Sequence, residues 1–141
     1  MATLPSQSTL VNIYNVEVTF EPIDKTLSFG GNMPSDTKTI SIPQGISLIV
    51  FSLQTERVLE GPEQQPQAQF GVYPVQWLDG AGNTTSAPDT FQAHWYNAQQ
   101  FTLVAFNTAL VENPHVFNVV VVYEGKTYGS DPTIINDPPG G

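Results

Sequence analysis

The chain reads as an all-β protein, a single-domain antiparallel β-sandwich, on three observations. Short runs rich in Val, Ile, Phe and Tyr recur along its whole length, separated by clusters of Gly, Pro, Asn and Asp. No run carries the apolar spacing of an amphipathic helix. Thr, Ser, Asn, Gln, Pro and Gly are plentiful while charged residues make up only 12% of the chain, a balance that suits strands and turns. At 141 residues the chain can bury a core without metals or disulfides, and one domain over 1–141 is expected. About seven or eight strands and no internal repeat fit an immunoglobulin-like or a jelly-roll-like topology, and the sequence does not separate the two.

Residues 9–20 open the sandwich. Val16, Val18 and Phe20 fall on one face and Glu17 and Thr19 on the other, the pattern of a half-buried strand, and Pro22 ends it. A polar loop through Gly30-Gly31-Asn32 and Met33-Pro34-Ser35-Asp36 leads to a strand over 37–42, which Pro43-Gln44-Gly45 breaks. Residues 46–53 are apolar on both faces, as an inner strand is. Residues 54–69 change to a Gln-rich loop with one helical turn near Glu56. Residues 70–78 resume strand character, and Pro74 assigns them an edge or a bulge. Trp77 falls where immunoglobulin-like sandwiches keep a core Trp, without their cysteine pair. Asp79-Gly80-Ala81-Gly82-Asn83 is a turn, and residues 91–96 and 101–106 form a hairpin.

The last third is organised around the run from His115 to Tyr123. Phe117, Val119, Val121 and Tyr123 share one face and Val116, Val120 and Val122 the other, so both faces are expected to be covered. Glu124-Gly125 is a turn, residues 126–131 return as a short hairpin strand, and residues 136–141 are a frayed tail. The run Val119 to Val122 is also a steric-zipper candidate if exposed, which makes a homo-oligomer a natural partner state.

Four cationic residues (Lys25, Lys38, Arg57, Lys126) stand against thirteen carboxylates, a net charge of −9. Such a chain cannot build a basic stripe, so nucleic acid and anionic membrane are excluded as partners. The absence of cysteine removes disulfides, zinc-thiolate sites and thiol nucleophiles. Residues 1–7 show neither a basic nor an apolar leader region, and the chain reads as soluble and cytoplasmic.

Neither His94 nor His115 sits in a nucleophile-elbow or metal-spaced pattern, and the ordinary reading of each is packing or surface. The acidic turn at Asp79 resembles the start of a calcium loop, but Thr90 stands where the bidentate Glu would be, so a plain Gly-rich turn is preferred. No metal and no cofactor is expected. Asn83-Thr84-Thr85 is a glycosylation sequon without a secretory context. Glu17 reads as a solvent-facing strand carboxylate; its functional reading is a carboxylate facing Asp131 across the sheet.

Asp131-Pro132 carries the sharpest chemistry. An Asp carboxylate can attack its own carbonyl carbon to close a five-membered anhydride, and the tertiary Pro nitrogen leaves readily once protonated. The advantage is the high effective molarity of an oriented intramolecular attack. A fold can hasten it by twisting the amide, by raising the carboxyl pKa or by donating to the oxyanion, each donor worth about 3 kcal/mol. The ordinary reading is that Pro ends strand pairing and Asp caps turns. Asp137-Pro138, in the tail, is a built-in comparison.

Residues Val119-Val120-Val121-Val122-Tyr123-Glu124-Gly125-Lys126-Thr127-Tyr128 and Ser130-Asp131-Pro132-Thr133-Ile134-Ile135-Asn136-Asp137-Pro138 resemble the DP-EP family of small bacterial β-sandwich proteins, regarded as self-cleaving endopeptidases. The resemblance implies cleavage after Asp131, with Pro132 as the new N-terminus and residues 132–141 as a segment that stays docked. Its second acidic-Pro element is Asp137-Pro138 here, where the family has Glu-Pro. Glu17, Asp79, Asp89 and Glu112 are unranked candidates for an assisting acid, and Lys126 and His115 are further assisting candidates. Lys126 is the closest amine in sequence for an anhydride, although a regular strand places it on the face opposite Asp131.

Two functions are therefore expected to compete. One is self-cleavage at Asp131-Pro132, the protein acting on its own C-terminal segment. The other is a non-catalytic immunoglobulin-like binding or self-assembly module.

Overall fold

The computed structural model describes residues 11–139, and of Trp95 and Tyr96 the backbone only. Its strands are β1 (Val11–Glu21), β2 (Thr26–Gly31), β3 (Thr39–Ile42), β4 (Gly45–Thr55), β5 (Gln69–Trp77), β6 (Phe91–Asn97), β7 (Gln100–Asn107), β8 (Asn113–Tyr123), β9 (Lys126–Ser130) and β10 (Thr133–Asn136). Among the described residues there is no helix, so the helical turn expected near Glu56 does not form. Thr9 and Leu10, the expected start of the first strand, the leader reading of residues 1–7, and Gly140-Gly141 lie outside the described residues.

One sheet has the order β2-β1-β4-β7-β6, the other β3-β10-β8-β5 with β9 also on β8. The all-β sandwich is as expected, but both sheets are mixed. β1 pairs with β4 and β3 with β10 in parallel, and the other pairs are antiparallel. The reason is the path between β1 and β4: β2 turns back against one edge of β1, then β3 crosses to the second sheet. The chain so returns to the other edge of β1 running in its direction.

Alternation places the core between the sheets. β1 buries Val16, Val18 and Phe20 and exposes Glu17; β4 buries Ile49, Phe51 and Leu53; β8 buries Phe117, Val119, Val121 and Tyr123. Aromatic rings join the layers. Phe51 stacks on Phe101 at 4.6 Å and meets Phe117 of the other sheet edge-on at 6.1 Å, while Trp77 packs on Phe91 at 4.8 Å. Truncating one such ring to Ala costs about 3–5 kcal/mol.

Two stretches read as loops are more ordered than that. Leu27 and Phe29 alternate inward from β2, which closes a hairpin with β1 through a turn where Lys25 has φ 59°. In the 56–68 loop, buried Gln65 accepts from the Val58 and Leu59 N–H groups at 2.7 and 3.1 Å and donates to the Glu56 carbonyl at 2.7 Å. It is an internal strut, where a solvated glutamine run was expected. β5 behaves as Pro74 implies, an edge strand whose register shifts between Phe70 and Val75.

The C-terminal hairpin is longer than expected. Val119 opposes Ser130 and Val116 opposes Thr133, the same offset, so no residue is inserted between β9 and β10. They are one strand beside β8, interrupted where Pro132 has no N–H to give. Glu124 (φ 48°) and Gly125 (φ 79°) make the two-residue turn. The expected frayed tail is corrected at Asn136 and Asp137: Ile134 and Asn136 are buried, and β10 is paired on both edges, by β3 and β8.

Candidate functional site

Asp131 is exposed and Pro132 buried, because Pro132 shares the inward face of this strand with Ile134 and Asn136. The Pro132 carbonyl accepts the Phe117 N–H at 3.2 Å, so even-numbered residues direct their backbone groups to β8. By alternation the Asp131 carbonyl points the other way, toward the β3 side. Lys38 stands there, at φ 50° just before β3. Its carbonyl accepts the Thr133 N–H at 2.8 Å and its Nζ donates to Ser130 Oγ at 3.2 Å. One residue thus grips the strand on both flanks of Asp131-Pro132. Sequence reasoning missed Lys38, since it lies 92 positions from Ser130 and carries no local motif.

Two of the sequence-predicted partners, Glu17 and Lys126, are not brought to this bond. Glu17 lies on the exposed face of β1, opposite Gly30 and Ser52, with its side chain turned away from the second sheet. The facing of Glu17 and Asp131 is thereby corrected: Val16 and Val18 take the inward positions. Lys126 opposes Tyr123 at the turn end of the hairpin, whereas Ser130 opposes Val119, about 13 Å along the strand. His115 faces inward between Phe91 and Trp77, with ring centroids at 5.0 and 6.3 Å, and burial there holds its pKa below the ordinary 6.5. Its Nε2 lies 3.3 Å from Asn136 Nδ2, an amide donor, which fits a neutral ring protonated on Nδ1. Asp79 accepts the Ala81 and Asn83 N–H groups at 2.9 Å each, an Asx turn, and Asp89 and Glu112 lie in loops. Among the described residues no group of three His, Cys, Asp or Glu could hold a metal.

The second Asp-Pro bond is clamped as well, so it is not the flexible comparison that the sequence suggested. The Asp137 N–H donates to the Ile42 carbonyl at 3.0 Å. The Asp137 carbonyl accepts from Asn107 Nδ2 at 2.9 Å and from Gln44 Nε2 at 3.3 Å. Asn107 is 1% exposed; its Nδ2 also donates to the Ile42 carbonyl at 2.9 Å and its Oδ1 accepts the Ala109 N–H at 3.0 Å. Gln44 is held in turn by the Ala109 carbonyl at 2.7 Å. Tyr14 of β1 completes the surroundings: burial, then the nearby Asp137 charge, raise its phenol above the usual range.

Charge is distributed unevenly over the molecule. Among the described residues, Glu17, Glu21 and Lys126 are the only Asp, Glu, Lys or Arg residues inside strands, and the other charges occupy loops. On the outer face of the β2-β1-β4-β7-β6 sheet, Val11, Ile46 and Phe106 line up across three strands, and Ile13, Leu48 and Val104 form the next row. Ile13 is 61% exposed, Phe106 45% and Val11 41%. Among the described residues no helix is long and apolar enough to cross a membrane. No protein-family model matches the chain, and no curated protein matches it.

Proposed function

We propose that this chain is a self-assembly module that pairs with a second copy through the outer face of the β2-β1-β4-β7-β6 sheet. The carrying observation is the segregation of charge: loops hold eleven of the thirteen carboxylates, and one end of this face holds two rows of apolar side chains, with Glu17 and Glu21 farther along β1. Depletion of charge with exposed apolar residues marks the centre of an interface. The two rows span three strands, roughly 200 Å² of the sheet, the apolar centre of a contact whose rim is the polar remainder of the face. Sedimentation velocity over a concentration series tests it. A dimer that dissociates on dilution is expected, abolished by Ile13→Glu with Phe106→Glu, both surface changes; a wild-type monomer at every concentration overturns the reading.

A second reading, self-cleavage after Asp131 as in the DP-EP family, is supported by the grip of Lys38 on both flanks of the bond. The Asp131 carboxylate closes on its own carbonyl, the Pro132 nitrogen leaves with a proton, and water opens the anhydride. Because β10 is an inner strand, residues 132–141 stay docked after the cut. Intact-mass measurement under denaturing conditions is expected to show their loss from wild type and their retention in Asp131→Ala; a chain that stays whole on incubation refutes this reading. A cytoplasmic setting belongs to both readings and rests on the cysteine-free sequence.

A further inference from the structure

We propose that Asp137-Pro138 is a self-cleavage site in its own right, with the Gln44 and Asn107 side-chain amides as its oxyanion donors. The inference rests on the self-cleavage reading and names a different bond for it.

Intramolecular anhydride formation needs a fixed carboxylate and a stabilised oxyanion. At Asp131 the backbone is fixed, but by alternation its carbonyl faces the Lys38 side. At Asp137 the carbonyl oxygen receives two side-chain N–H donors, at 2.9 Å from Asn107 and 3.3 Å from Gln44. Both donors are pinned by further bonds, Asn107 to Ile42 and Ala109 and Gln44 to Ala109, so they need little rearrangement as charge develops on the oxygen. The Asp137 N–H is tied to Ile42, which holds the residue while its side chain turns on its own carbonyl.

The step balances with water alone. An Asp137 carboxylate oxygen bonds to the Asp137 carbonyl carbon, and the oxyanion forms between the two amides. The bond from that carbon to the Pro138 nitrogen breaks, and the nitrogen takes a proton from water. A water molecule then opens the anhydride to two carboxyl groups. The products are a chain ending at Asp137 and the peptide Pro138-Pro139-Gly140-Gly141.

The test is a time course of intact mass on the full-length protein, native and in denaturant, for wild type, Gln44→Ala, Asn107→Ala and Asp137→Ala. Loss of residues 138–141 in the native wild type is expected, absent from Asp137→Ala and slowed about tenfold or more in Gln44→Ala. Gln44 is exposed, so its substitution leaves the core intact and stands in for Asn107→Ala should that variant unfold. Cleavage after Asp131 alone overturns this inference and keeps the self-cleavage reading, whereas an intact chain overturns both. Cleavage after Asp137 at the same rate in denaturant, or at an unchanged rate in Gln44→Ala, overturns the oxyanion role.

Discussion

Asn107→Ala is the most informative single change for the architecture. The side chain is 1% exposed and makes hydrogen bonds to Ile42 O, Asp137 O and the Ala109 N–H, at 2.9, 2.9 and 3.0 Å. The losses are unequal. The Ile42 carbonyl keeps the Asp137 N–H and the Asp137 carbonyl keeps Gln44, so each loses a second donor, worth about 0.5–1.5 kcal/mol. The Ala109 N–H loses the acceptor that satisfies it, at about 1–3 kcal/mol. Together they predict a loss of roughly 2–6 kcal/mol in urea unfolding with an unchanged m-value. Hydrogen exchange should speed up first at Asp137 and Ala109. Asn107→Asp should cost more, since it sets a buried carboxylate against two carbonyl oxygens. A loss below about 1 kcal/mol, or Asp proving milder than Ala, refutes Asn107 as the clasp of the C-terminal strand.

Three further outcomes follow from the same geometry. Ser47 is fully buried and its Oγ has no partner among the described residues, so Ser47→Ala should stabilise the fold by about 1 kcal/mol; destabilisation on thermal unfolding counts against it. Gly31 has φ 72° and an added Cβ would meet the Asn15 carbonyl oxygen, so Gly31→Ala should cost over about 2 kcal/mol in urea unfolding; a neutral result sinks the account of the β1-β2 hairpin. His115 is held below 6.5 by burial, so the unfolded chain takes up its proton first as pH falls. Its contribution is complete above 6.5 and is lost below it as pH falls toward the folded-state value, and the pH slope of stability just below 6.5 should be shallower in His115→Phe. An identical slope in the variant means that the ring is not the titrating group.

The sequence by itself determined what local physics governs. Alternation in β1, the doubly apolar β4 and β8, Trp77 in the core, the Pro74 bulge and the Glu124-Gly125 turn were all legible. Each depends on a residue's own face or its own φ. The two Asp-Pro bonds were visible as covalent chemistry, Asp131-Pro132 as the candidate bond and Asp137-Pro138 as its comparison. Partners were not legible. Lys38 reaches Ser130, and Asn107 and Gln44 reach Asp137, across separations of 92, 30 and 93 positions, and only pairing of distant strands brings them together. The two parallel pairs, the second strand hidden in a Gly-rich stretch and the buried role of Gln65 were likewise decided by tertiary structure. There, hydrogen-bond demand in the folded interior overrides what composition suggests. Tertiary structure also made Thr133–Asn136 an inner strand, because β3 and β8 both left an edge for it to fill, and tied Asp137 to Ile42, so the expected fraying does not begin at Asn136.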